Sequence, residues 1–193
     1  MHALLVPALL VAGCNTAPAS VPERPPLQGS AIGGDFQLVD KHGAPVRFAD
    51  FAGRYRIVYF GYSFCPDACP LDLQRLIQGF NLFAKNEPQV AERIQPLFVT
   101  IDPQRDSPRV VGAFAAAFSP RLIGLTGTPA QVKAAADAFR VYYGKGKQGA
   151  DGGYLMNHSR IAYLMDRDGS PLATLPIEQG PQAVAAELAR WTS

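Results

Sequence analysis

Residues 54–62 read RYRIVYFGY, a run of β-branched and aromatic side chains with little polar relief. Such a run reads as a buried strand, which needs other strands beside it and other elements over it. The residues that follow supply them. Leu71, Leu73, Leu76, Ile77, Phe80 and Phe83 recur at helical spacing and predict a helix over about residues 70–85. IQPLFVTID (94–102) is a second strand. Asp106-Ser107-Pro108 is a cap followed by proline at the first helical position, opening a helix to about Phe118. LIGLTG (122–127) is a short strand, Thr128-Pro129 starts a helix to about Phe139, and VYYGK (141–145) is extended. GKGKQGADGG (144–153) is expected as an exposed loop. RIAYLMD (160–166), the turn RDGS and PLATLP (171–176) make a hairpin, and 180–191 a closing helix. Upstream, DFQLVD (35–40), KHGAP (41–45) and VRFADF (46–51) read as another hairpin.

Strand–helix–strand–helix, then a hairpin and a last helix, is an α/β layout with helices on both faces of a central mixed sheet. The order resembles that of thioredoxin-like proteins, with an added N-terminal β-hairpin and an inserted helix. Cys65 and Cys69 lie between the first core strand and its helix, where a thioredoxin-like fold keeps its redox motif. A helix N-terminus offers unpaired N–H groups and partial positive charge, which favour thiolate over thiol.

The N-terminus reads as separate from this domain. Residues 3–12 (ALLVPALLVA) are apolar but too short to span a bilayer. They run into Val11-Ala12-Gly13-Cys14, which resembles the lipobox of bacterial lipoproteins, although only His2 and no Lys or Arg precedes the run. In such proteins the cysteine becomes the lipidated first residue, and here a polar, Pro-rich tether follows it at once. The expected organisation is a signal peptide over 1–13, lipidated Cys14 and a tether over 14–30, and one domain over 31–193. Whether lipobox or ordinary cleaved signal, the segment places the domain outside the cytoplasm, in the cell envelope. Net charge is +2, from 18 basic and 16 acidic residues with no block of like sign, so nothing points to nucleic acid or to an anionic membrane surface.

With Cys14 lipidated, Cys65 and Cys69 are the remaining thiols. Two cysteines cannot staple a domain of about 160 residues, and a core of that size needs no staple. The pair is therefore read as functional, as a metal site or a redox couple. A metal site needs a further ligand. Of three histidines, His2 falls in the signal segment and His42 in a hairpin turn. His158 precedes the strand 160–166, in an entry loop that a thioredoxin-like layout brings beside the cysteines. Two thiolates and an imidazole form a soft set that suits Cu(I), while zinc would take the same set with a fourth ligand.

Three stretches together resemble the Sco/SenC family of thioredoxin-like copper proteins. GYSFCPDACP (61–70) matches G-Y/F-x-x-C-P-D-x-C-P, TIDPQRDSP (100–108) matches D-P-x-R-D-S/T-P, and YLMNHSRIAYLMDRDG (154–169) matches D-H-S followed by a strand and D-x-x-G. The resemblance runs over roughly residues 30–190. It implies copper ligation by Cys65, Cys69 and His158, with Cu(I) or Cu(II) as cargo. It also implies a membrane-tethered protein that serves the dinuclear copper centre of cytochrome c oxidase, as a metallochaperone or as a thiol–disulfide reductant of that centre's cysteines. In the second case Cys65 attacks and Cys69 resolves. The implied partners are the copper-centre subunit of the oxidase and another periplasmic copper chaperone or reductant. The implied place is the periplasmic face of the inner membrane.

Asn157 stands where the family has Asp, and Phe64 where many members have a polar residue; neither change removes a ligand. Asp67 reads as a charge near the site or as a turn residue. Asp102, Arg105 and Asp106 read as a strand end and a helix cap, with partner docking as the functional alternative. Tyr59, Phe60 and Tyr62 read as core or wall, and Met156 as core with a thioether near the site.

Overall fold

The computed structural model describes residues 23–148 and 153–192. The expected signal peptide, Cys14 and the first part of the tether lie outside the described residues. In chain order the elements are β1 (Gln37–Val39), β2 (Pro45–Arg47), β3 (Tyr55–Gly61), α1 (Ala68–Asn86), α2 (Pro88–Ala91), β4 (Ile94–Thr100) and α3 (Pro108–Ala116). They continue as β5 (Ile123–Leu125), α4 (Pro129–Ala138), β6 (Tyr143–Gln148), β7 (Tyr154–His158), β8 (Ala162–Met165), β9 (Pro171–Leu175) and α5 (Pro181–Trp191).

The central sheet has the order β5-β4-β3-β8-β9, with β3, β4 and β5 parallel and β8 and β9 antiparallel to their neighbours. β3 is central and buried at every position, which is why its sequence does not alternate. Tyr59 faces α1, where its hydroxyl donates to Asp72. Phe60 faces the other way and meets Phe139, just past α4, with ring centroids 5.4 Å apart. Phe139 also meets Phe36, Phe48 and Tyr163, so an aromatic cluster closes that face. On the opposite face α1 packs against α5, and Gly79 lets Val184 close in. Local signals set the helix starts. Ser107 accepts from the Val110 amide at 3.4 Å, and Thr128 with Gln131 forms a reciprocal capping box before Pro129.

The added hairpin, β1–β2, forms its own two-stranded sheet, tied to the rest by a bridge between Val39 and Thr126. It is shorter than expected, because residues 48–51 turn into a single 3-10 turn that buries Phe48. The larger departure concerns residues 144–148 of the loop expected over 144–153, and the entry segment to His158. These are not loops: β6 and β7 pair antiparallel, with Tyr143 opposite His158 and Lys145 opposite Met156. The glycines mark close backbone approach rather than a loop. A Cβ on Gly146 would stand 2.9 Å from the Leu155 carbonyl. Among the described residues no helix is long and apolar enough to cross a membrane.

Candidate metal centre

The chain leaves β3 at Gly61 and enters α1 at Ala68, and the intervening turn holds Cys65. Asp67 occupies the cap position of α1 but its side chain caps nothing. The sulfur of Cys65 takes that place, accepting from the Cys69 amide at 3.3 Å. Proline at position 70 removes one further N–H that would need a partner. Cys69 lies in the first turn of α1 and is fully buried, whereas Cys65 sits at 9% exposure, nearer the surface. Gly61 leaves the room that the Cys69 sulfur occupies: a Cβ there would lie 3.0 Å from Sγ.

His158 ends β7 and delivers its ring to the same point. Its Nε2 lies 3.3 Å from Cys69 Sγ, and the two sulfurs and this nitrogen all fall within 4.8 Å of one another. The Nδ1–H donates to the Ser159 carbonyl at 2.9 Å, which fixes the tautomer and leaves Nε2 with a free lone pair. Tyr59 and Tyr62 meet the imidazole edge-on, at centroid distances of 6.5 and 6.0 Å. Both cysteines are free thiols, so these three side chains could hold a metal without first breaking a bond.

The three groups differ in protonation. Burial works against the Cys65 thiolate, but the amides of Cys69 and Asp67 and the side chains of Cys69 and Tyr62 outweigh it and lower its pKa. Burial drives the Cys69 pKa strongly upward, and a neighbouring Cys65 thiolate adds to that. Burial also lowers the pKa of His158, keeping the ring neutral at pH 7, and pushes Tyr62 up to about 12. The outer thiol is thus the readier of the two to ionise, the inner thiol the more reluctant, and burial favours the neutral imidazole.

Residues around the site turn out to hold it in place. Asp106 is fully buried, not a surface docking group, and accepts from the Ser63 amide at 3.0 Å, from the Ser63 hydroxyl and from Thr100 Oγ1 at 2.6 Å. It fixes the turn that carries Cys65, while Ser107 does the capping of α3. Asp102 pairs with Arg105 and accepts from the Tyr154 hydroxyl at 2.9 Å, and Arg105 donates to the Tyr154 carbonyl at 2.9 Å. The D-P-x-R-D stretch thus braces the start of β7. Sequence reasoning missed Asp72 and Arg160. Asp72 is fully buried on α1 and ion-paired to Arg160. A carboxylate inside an otherwise apolar helical stripe was the available signal.

Phe64 and Leu155 are more than half exposed, at 52% and 53%, one beside Cys65 and the other on the outer face of β7. Asn157 also points outward, so the substitution of the family's Asp alters the rim and leaves Cys65, Cys69 and His158 untouched. Met156 faces inward and lines a cavity of about 220 Å³ with Ile101, Tyr143 and Tyr154.

A family model described as SCO1/SenC matches residues 24–193. The chain belongs to the SCO1/SenC family. The mouse mitochondrial protein SCO2 homolog is 41% identical over 144 residues, covering 74% of this chain and 56% of its own. The chain spans about half the length of the curated relatives it matches. The structure of Bradyrhizobium japonicum ScoI with copper bound superposes with a TM-score of 0.73 at 35% identity, covering 83% of this chain and 99% of that one. BsSco, described as a member of the Sco family of cytochrome c oxidase assembly proteins, shares the fold at 18% identity and a TM-score of 0.59, over 81% and 93% of the two chains. The thioredoxin-like expectation holds for the SCO1/SenC domain, with its β6–β7 hairpin added.

Proposed function

We propose that this protein binds copper through Cys65, Cys69 and His158 and hands it to the dinuclear copper centre of cytochrome c oxidase. The observation that carries this reading is the convergence of two sulfurs and the unprotonated Nε2 of His158 within 4.8 Å. Two thiolates and one imidazole make a soft set for Cu(I), and the set leaves a side open for transfer. Copper is cargo here, so the open side matters as much as the affinity. Cys65 is the ligand nearer the surface, beside exposed Phe64, and is the natural point of attack for an acceptor's thiolate. Family membership and the copper-bound relative support the metal, and the description of BsSco as one of the cytochrome c oxidase assembly proteins supports the client. The whole assembly would be lipid-anchored through Cys14 at the periplasmic face of the inner membrane, with the copper-centre subunit as partner.

The test is a copper titration of the reduced domain, with Cys65→Ser, Cys69→Ser and His158→Ala beside it. One equivalent is expected, with Cu(II)–thiolate charge-transfer absorption that His158→Ala shifts and weakens. Wild-type affinity in His158→Ala would overturn the ligand set.

A second reading has its own support in the unequal thiols. Cys65, with its lowered pKa, would attack a target disulfide and form a mixed disulfide. Cys69 would then lose its proton and displace the second target thiolate. The products are a Cys65–Cys69 disulfide and a reduced target dithiol, a two-electron balance. A His158 variant that binds no copper but still supports oxidase assembly would favour this reading.

A further inference from the structure

Asp72 takes three hydrogen bonds from two other parts of the chain. Tyr59 Oη donates at 2.9 Å from β3, and Arg160 donates from Nε at 2.9 Å and from Nη2 at 2.6 Å. The two-pronged Arg–carboxylate fork fixes orientation as well as distance. Its position is what matters. Asp72 is one turn beyond Cys69 on α1, and Arg160 is two residues past His158, in the short segment between β7 and β8. The fork thus ties the helix that carries one sulfur to the backbone that carries the imidazole. At the other end of β7, Asp102 and Arg105 hold Tyr154. The strand that delivers His158 is pinned at both ends.

Core stability alone does not account for this arrangement. Burying a carboxylate is costly, and an apolar pair of similar volume would serve the interior as well or better. The Arg160 side chain is 48% exposed, so it reaches in from the surface to a carboxylate at 0%. Ordering that long side chain costs entropy, and the return is geometry.

We propose that Arg160 and Asp72 are positioning residues for the metal site, a clamp that holds the His158 backbone against α1 so that Nε2 meets Cys69 Sγ before an ion arrives. The proposal rests on the copper reading for the identity of the ion, while the clamp itself is a property of the metal-free chain. It gives Asn157 no part in holding the imidazole. That side chain lies on the outer face of β7, and the orientation of the imidazole comes from the Ser159 carbonyl and the clamp.

The test compares Arg160→Met, which keeps the alkyl stem, with Arg160→Lys, which keeps the charge without the fork. Cu(II) binding to the reduced protein is followed by its charge-transfer band and by competition titration. Hydrogen exchange is measured on the metal-free protein. Arg160→Met is expected to weaken Cu(II) binding about 10–100-fold, the usual cost of losing outer support of a ligand. Arg160→Lys recovers part of it. Exchange should speed up several-fold in residues 154–161 with the five-stranded sheet unchanged. In a His158→Ala background Arg160→Met should cost nothing further, since its effect passes through that ring. Wild-type affinity and exchange in Arg160→Met would overturn the clamp, as would an equal loss in the His158→Ala background, or loosened exchange across the whole domain. If Arg160→Met does not fold, Arg160→Lys carries the same cycle. If the wild-type protein takes up no copper, the copper reading fails while exchange in residues 154–161 still decides the clamp.

Discussion

Gly61→Ala probes the junction of fold and site with a single methyl group. Gly61 ends the central strand with a backbone conformation open to any residue, so alanine brings no torsional strain. The added carbon would stand 3.0 Å from Cys69 Sγ, from Phe98 Cε2 and from Tyr59 Cε1. Ordinary carbon contacts relax to about 3.5–4.0 Å, so each neighbour must yield by roughly half an ångström. All three are fully buried and cannot yield toward solvent. Overpacking of this kind costs about 1–3 kcal/mol. For a domain of this size that lowers Tm by about 3–10 °C. Because Cys69 is one of the three neighbours, its sulfur should also shift against His158, and the Cu(II)–thiolate band should move with it. Gly79→Ala is the control. Its methyl would meet Val184 at 2.6 Å and the Pro181 carbonyl at 2.7 Å, between α1 and α5 and away from the site. Thermal unfolding of the metal-free proteins and absorption of the copper-loaded ones read the two effects separately. Both variants should lose stability, and only Gly61→Ala should change the band. A Gly61→Ala protein with unchanged Tm and band would refute the packing argument, and a changed band in Gly79→Ala would refute its localisation.

Further outcomes follow from the protonation states and the buried acceptors. With the Cys65 pKa lowered and that of Cys69 raised, iodoacetamide at pH 8 should label Cys65 at least ~10-fold faster, as peptide mapping would reveal; equal rates would contradict the assignment. An ion that takes the buried Cys69 sulfur must displace its proton, so apparent copper affinity should climb about tenfold per pH unit through neutrality. The His158 ring, its pKa lowered by burial, competes as imidazolium only on the acid side of the ordinary histidine range. A flat profile from pH 7 to 9 would show that the thiol is already ionised. Asp106→Ala strips the acceptor from Ser63 and Thr100 and should cost about 3 kcal/mol in urea unfolding, against near-neutrality if those donors find water.

Much of this protein is local in sequence. The unbroken run at 54–62 requires a strand buried on both faces, and Ser107-Pro108 and Thr128-Pro129 start helices with partners only a few residues away. The cysteine pair announces its place because a strand end, a turn and a helix start are contiguous. His158 was reachable from the order of elements together with the family words, since a thioredoxin-like frame brings that segment beside the cysteines. The glycines at 144 and 146 misled because the same residue marks a turn and a close strand pair, and only the partner strand tells them apart.

Other features belong to the tertiary structure alone. Asp72 and Arg160 are 88 residues apart, and neither has a local reason to exist as a pair. Which side of α1 meets β3, and where the chain runs between β7 and β8, decides that a buried carboxylate on the first helix meets a guanidinium before the penultimate strand. Asp106 likewise reads as a helix cap until the fold turns it inward to Ser63, 43 residues upstream. Sequence by itself determined the candidate ligands and the order of the elements that carry them, because strand runs, caps and turns are short-range. The tertiary structure decided how the ligands are held, because the interior admits a charge only where a distant partner has been brought to meet it.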